Sequence, residues 1–134
     1  MFVVLFVGVS ACASGGGGQD VAATLAGTQW TLVEVDGEAL PARDGGPAAE
    51  LVFLEEERFA GSVGCNRVLG GAKQDGAALA LTPGPMTMMA CPPPLDAVEQ
   101  KFVAVLGQVT GHRQEDGALL LLSGERVVLR LTAK

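Results

Sequence analysis

The chain has 134 residues and carries 15 acidic against 9 basic side chains, a formal net charge of −6. Charge-driven binding to nucleic acid or anionic lipid is excluded by that sign, because Lys and Arg supply the neutralisation of phosphate. One Trp, five Phe and no Tyr leave no stacking platform for bases or sugars.

The first element is an apolar run, Phe2 to Val7, followed by Val9-Ser10-Ala11-Cys12, then Ala13-Ser14 and four glycines, Gly15 to Gly18. The run is too short to span a bilayer, which takes about 20 apolar residues, and fits the core of a signal peptide. Val9 to Cys12 resembles a lipobox, the cleavage and lipidation signal of bacterial lipoproteins. The absence of Lys or Arg before the run is the one departure. The resemblance implies a leader at 1–11, a lipidated Cys12 opening a flexible tether at 12–26, and a single domain at 27–134. Several acyl chains hold firmly at about 0.8 kcal/mol per buried methylene. The expected location is the cell envelope. Where there are two membranes, Ala13 after Cys12 favours the periplasmic side of the outer one.

Roughly 110–120 residues then remain, enough for one core. Thr28 to Val35 reads as a strand whose apolar phase shifts between Leu32 and Val33, the mark of a bulge. Asp36-Gly37 is a turn, and Pro41 to Pro47 a loop. Glu50 to Leu54 and Arg58 to Gly64 form a hairpin across the solvated turn Glu55-Glu56-Glu57, with Phe59, Gly61 and Val63 on one face. Gly70-Gly71 and Asp75-Gly76 bracket a short strand. Ala77 to Leu81 is another, broken by Pro83 and Pro85, and Met86 to Ala90 is extended. Pro92 to Pro94 introduce a helix on which Leu95, Val98, Phe102 and Val105 make one apolar stripe, with Gly107 as its stop. Val109 to Glu115 is a weak strand interrupted by Gly111, with His112 exposed. Asp116-Gly117 is a hairpin turn, Leu119 to Leu122 a strand, and Arg126 to Thr132 a last strand with Val127, Leu129 and Leu131 inward. The sum is α+β: a mostly antiparallel curled sheet or open barrel of seven to eight strands with one covering helix.

With Cys12 assigned to lipid, Cys65 and Cys91 remain. In an exported protein such a pair forms a disulfide; two buried thiols and a metal pair are the alternatives. Asn66, next to Cys65, reads as a turn residue that tolerates positive φ and hydrogen-bonds its own turn, aiming Cys65 at Cys91.

Several of these residues fall into one ordered pattern. Trp30-Thr31-Leu32 with Gly37, then Phe53 and Phe59-Ala60-Gly61, precede Gly64-Cys65-Asn66-Arg67 with Gly70. Thr87-Met88-Met89-Ala90-Cys91 follows, then Glu99 and Phe102, then Leu119, Leu121 and Leu129. The pattern over residues 27 to 132 resembles the META domain, also called the HslJ-like family. Its motif residues here are Gly64, Cys65, Asn66, Thr87, Met89, Ala90 and Cys91. The proline run after Cys91 departs from the family pattern. The resemblance implies a small exported or lipid-anchored bacterial domain with no established enzymatic activity. One namesake is linked to heat shock and to tolerance of an antibiotic, so a stress-response role is expected.

No catalytic, cofactor-binding or metal-binding residue set is assigned. Cys65, His112 and Asn66 supply residue types for a cysteine nucleophile, but an oxidised Cys65 leaves none. Met86, Met88, Met89, Cys91 and His112 are soft or borderline donors of the kind that favour copper(I). Strand alternation would put Met86 and Met88 on one face and Met89 on the other, and methionine is also ordinary core filler. The expected function is non-enzymatic binding or stabilisation in the envelope. The alternatives are a pilot or assembly partner of another envelope protein, and a copper binder. A pocket lined by Phe53, Phe59, Met86 and Met88 is the expected place for a small apolar ligand or peptide segment.

Overall fold

The computed structural model describes residues 23–42 and 45–134. The expected leader, Cys12 and all but the end of the tether lie outside the described residues. Among the described residues, nine strands and one helix follow in chain order. They are β1 (Gln29–Val35), β2 (Glu38–Ala39), β3 (Glu50–Leu54), β4 (Arg58–Ser62), β5 (Arg67–Asp75) and β6 (Ala78–Met86), then α1 (Leu95–Leu106), β7 (Gly111–Glu115), β8 (Ala118–Ser123) and β9 (Arg126–Ala133).

All pairings are antiparallel. Strands β3 to β9 lie side by side in chain order, and β9 pairs back onto β1, so the sheet closes on itself. The short β2 shares with β3 the edge of β1 that β9 does not occupy. Closure removes the unpaired edges of an open sheet. The thinnest seam lies between β6 and β7, which pair only at Ala78 and Gly111. The strand expected from Val109 begins instead at Gly111, where a Cβ would sit 3.0 Å from the Ala77 carbonyl oxygen, so the close approach of the two chains favours glycine.

Turn chemistry acts as expected in the hairpins. Asp36-Gly37 and Asp116-Gly117 both hold positive φ at both positions, at 51° and 82° and at 50° and 79°, the requirement of the type I′ turn that matches strand twist. The expected bulge in β1 is present, as a register shift between Leu32 and Glu34.

Three local expectations are corrected. First, β5 runs through Gly70-Gly71 as nine residues. A Cβ on Gly70 would lie 2.2 Å from the Thr82 carbonyl oxygen and 2.6 Å from Phe59 Cε1, so this glycine permits contact and does not end a strand. Second, β6 runs through Pro83 and Pro85 to Met86. Those prolines lie beyond the single β6–β7 pair, where a missing N–H disrupts no ladder on that side. Third, Val128 is fully buried and Val127 only half-buried. Leu121 faces Leu129 while Leu122 faces Val127, so Val128 is the extra residue of a bulge that shifts the inward phase.

The core fills the ring. Leu51, Phe59, Leu119, Leu121, Leu129 and Leu131 are wholly inaccessible. Helix α1 adds Leu95, Phe102, Val105 and Leu106, with Val98 only half-buried on the expected stripe. Gly61 leaves the room that Phe102 occupies, since a Cβ there would lie 3.0 Å from Phe102 Cζ. Burial of a phenylalanine of this kind contributes about 1.5–3 kcal/mol.

The packed domain starts before Gly27. Leu25 is 1% exposed. Its N–H donates to Gln74 Oε1 at 2.9 Å, and Gln74 Nε2 donates to the Ala23 carbonyl at 2.7 Å. One side-chain amide thus pairs with the backbone of residues 23 to 25 in the manner of a strand neighbour, and Leu25 enters the core.

His112 is 3% exposed, not solvent-facing. It stands opposite Leu121 in the β7–β8 ladder. Its Nε2 lies 2.9 Å from the Gly76 carbonyl and 3.1 Å from Gln74 Nε2, while Nδ1 is buried without a hydrogen-bond partner. The tautomer protonated at Nε2 fits best, because it donates to Gly76 and leaves only an acceptor unpaired.

Candidate functional site

Two segments that the sequence separates meet beside the helix. Gly64, at φ 111°, turns the chain after β4, and its N–H donates to Ser62 Oγ at 2.8 Å. Cys65 and Asn66 follow immediately. The end of β6 brings Thr87 to Cys91 alongside, with Thr87 N–H donating to the Arg67 carbonyl at 3.1 Å. Cys65 Sγ lies 2.06 Å from Cys91 Sγ, at disulfide distance.

Asn66 is the hub. It is 5% exposed. Its Oδ1 accepts from Met89 N–H at 2.7 Å and from Thr87 Oγ1 at 3.0 Å. Its Nδ2 donates to the Met89 carbonyl and to Glu99 Oε2, each at 2.9 Å. Its backbone N–H donates to Glu99 Oε1, also at 2.9 Å. Thr87 Oγ1 additionally accepts from Arg67 N–H at 3.0 Å. The side chain therefore reaches across to another segment, whereas a turn residue would bond locally. Gly64, and not Asn66, supplies the positive φ.

Glu99 is the partner that sequence reasoning missed. As an early helical acid it suggests only a favourable interaction with the helix dipole. Both of its oxygens in fact close the Asn66 network, and Oε2 lies 3.6 Å from Cys91 Sγ. The available signals were its place in the family pattern beside Phe102 and its position on the helix, one turn before a residue that the core holds inward.

Next to this network is a cleft of about 600 Å³ whose wall includes Met86, Met88, Met89, Cys91, Asp96 and Glu99. Met88 is 85% and Met89 58% exposed. Strand structure ends at Met86, so the alternation expected to send Met89 to the opposite face does not apply, and all three methionines line the same cleft. Among the described residues no Lys, Arg or His lines it.

The expected apolar pocket is not assembled. Phe53 and Phe59 are core residues, 2% and 0% exposed. Phe53 reaches a separate depression of about 300 Å³ with Leu25, Arg58 and Gln74. The cysteine–histidine–asparagine grouping is not assembled either, since the His112 ring bonds to Gly76 and Gln74. Ligand atoms of Cys65, Cys91 and Glu99 cluster within 4.8 Å of one another, but the two sulfurs are at bonding distance and offer no thiolate. Among the described residues no helix is long and apolar enough to cross a membrane.

A family model, the META domain, matches residues 23–134. No curated protein matches. Solved structures are similar in fold. An NMR structure of a protein from Burkholderia xenovorans has 24% identity and a TM-score of 0.63, covering 82% of this chain and 83% of that one. A second NMR structure has 20% identity and a TM-score of 0.59, over 79% and 88% of the two chains. A crystal structure of a duf4847 family protein from Bacteroides vulgatus has 16% identity and a TM-score of 0.56, over 82% and 94%.

Proposed function

The chain belongs to the META domain family, and we propose that it is a non-enzymatic, lipid-anchored binding domain of the cell envelope whose working surface is the methionine cleft. The anchor is Cys12, and the role is the support of envelope integrity under stress. One observation carries the cleft assignment. Asn66 takes both the N–H and the carbonyl of Met89, and so fixes the backbone next to an exposed methionine pair, Met88 and Met89. Large apolar side chains at 85% and 58% exposure cost solvation unless something covers them.

The reading needs no reacting group. A bonded Cys65–Cys91 pair cross-links the two segments, and Asn66 and Glu99 are engaged with each other. Chemistry of this kind builds a rigid binding surface.

The test is made in cells lacking the native gene. The full chain restores stress survival, and the mature protein isolated from membranes has a mass increased by acylation at Cys12. A form lacking residues 1–22, which keeps Leu25 and its bonds to Gln74 but is retained in the cytoplasm, fails to restore survival. Full rescue by that form would reject the envelope role. An anchored Met88→Glu/Met89→Glu form, folded but unable to rescue, identifies the cleft as the working surface; full rescue by it would reject that assignment.

A further inference from the structure

We propose that the cleft binds a soft monovalent metal cation of the copper(I) class through the thioether sulfurs of Met86, Met88 and Met89, with Cys65 and Cys91 still bonded to each other. The inference rests on the cleft assignment above and gives its ligand a chemical class.

Core filling does not account for Met88 and Met89, which are mostly in solvent, whereas Met86 is partly buried against the core and lines the cleft from that side. Nor does strand geometry scatter them, because the chain leaves the sheet at Met86 and all three line one cleft. Preorganisation comes from Asn66, which takes both the N–H and the carbonyl of Met89, and from Thr87, whose N–H and Oγ are tied to Arg67 and Asn66. Two of the four residues from Met86 to Met89 are thereby fixed in backbone, so the cost that remains when the thioethers converge is that of the side-chain rotamers. The charge also has the right sign. Among the described residues, Asp96 and Glu99 line the cleft without a basic neighbour in its wall, and neither takes part in an ion pair. A neutral thioether is a soft donor that selects copper(I) over harder divalent ions.

The binding step is simple donation. Each sulfur shares a lone pair with the cation, no bond breaks, no electron is transferred and no proton is released. Affinity is therefore flat from about pH 6 to pH 8, whereas a thiolate site, which must lose protons to bind, weakens as pH falls.

The test uses silver(I) nitrate, a redox-inert ion of the same class, titrated into the full chain in chloride-free buffer after free thiols have been alkylated. One equivalent binds, and the ε-methyl resonances of Met86, Met88 and Met89 move. The volume-conserving double variant Met88→Leu/Met89→Leu folds and binds at least about tenfold more weakly. Stationary methyl resonances, unchanged affinity in the double variant, or binding that appears only after reduction of the cysteine pair would each overturn the inference. Those results leave the cleft assignment standing, since the cellular behaviour of the Met88→Glu/Met89→Glu form judges it separately.

Discussion

Asn66 and Met89 are joined by a reciprocal pair of hydrogen bonds: the carboxamide oxygen accepts from the Met89 N–H at 2.7 Å and the carboxamide nitrogen donates to the Met89 carbonyl at 2.9 Å. The arrangement mimics a strand pairing, with a side chain in place of a second backbone. It explains why an asparagine sits beside Cys65. Aspartate has the same shape but cannot donate, and alanine can do neither.

Substitution at this hub tests that explanation. Asn66→Ala leaves the Met89 backbone and Glu99 without buried partners and is expected to cost about 2–4 kcal/mol. Asn66→Asp is expected to cost more near neutral pH, because a second carboxylate then faces Glu99. That excess disappears as the pH falls and one carboxyl of the pair is protonated. Urea unfolding at two pH values measures both; a loss below about 1 kcal/mol for Asn66→Ala would contradict the hub.

The cysteine pair closes a loop with a sequence separation of 26. Reduction, or the double change Cys65→Ser/Cys91→Ser, is expected to lower stability by about 3–4 kcal/mol on the chain-entropy account. A lower urea midpoint with a retained antiparallel-sheet signal is the expected result.

Two adjacent glycines give a paired prediction. Gly70→Ala drives a methyl group into the Thr82 carbonyl and the Phe59 ring, at 2.2 and 2.6 Å, and is expected to cost about 3 kcal/mol or more. At Gly71 the nearest atoms to such a methyl are 3.8 and 3.9 Å away. Gly71→Ala is therefore expected to be neutral or to stabilise by up to about 1 kcal/mol through the unfolded chain. Thermal melts of the two variants should move in clearly different amounts; equal melts would mean that the close approach at Gly70 is absent.

The start of the domain can be measured directly. A chain beginning at Ala23 keeps Leu25 and its bonds to Gln74, whereas one beginning at Gly27 opens that end of the core. The shorter chain is expected to be less stable by about 2–4 kcal/mol, similar to Leu25→Ala in the full chain. Comparable losses from truncation and substitution would assign the effect to this one side chain.

What the sequence by itself determined lies close along the chain. Asp-Gly pairs name their hairpins, the three-and-four spacing from Leu95 to Val105 names the helix, and the phase slip in β1 announces its bulge. These features depend on φ preferences and side-chain periods that neighbours a few residues apart can settle. The recurrent glycine, cysteine and asparagine pattern was legible as well, although the job of its asparagine was not. Only the tertiary structure decided that Asn66 meets Glu99, 33 residues away, and that Leu25 is held by Gln74, 49 residues away. It also decided that His112 faces the core and that three methionines share one cleft. Each of those outcomes depends on where the closed sheet brings distant backbone together, and a local pattern carries no record of that distance.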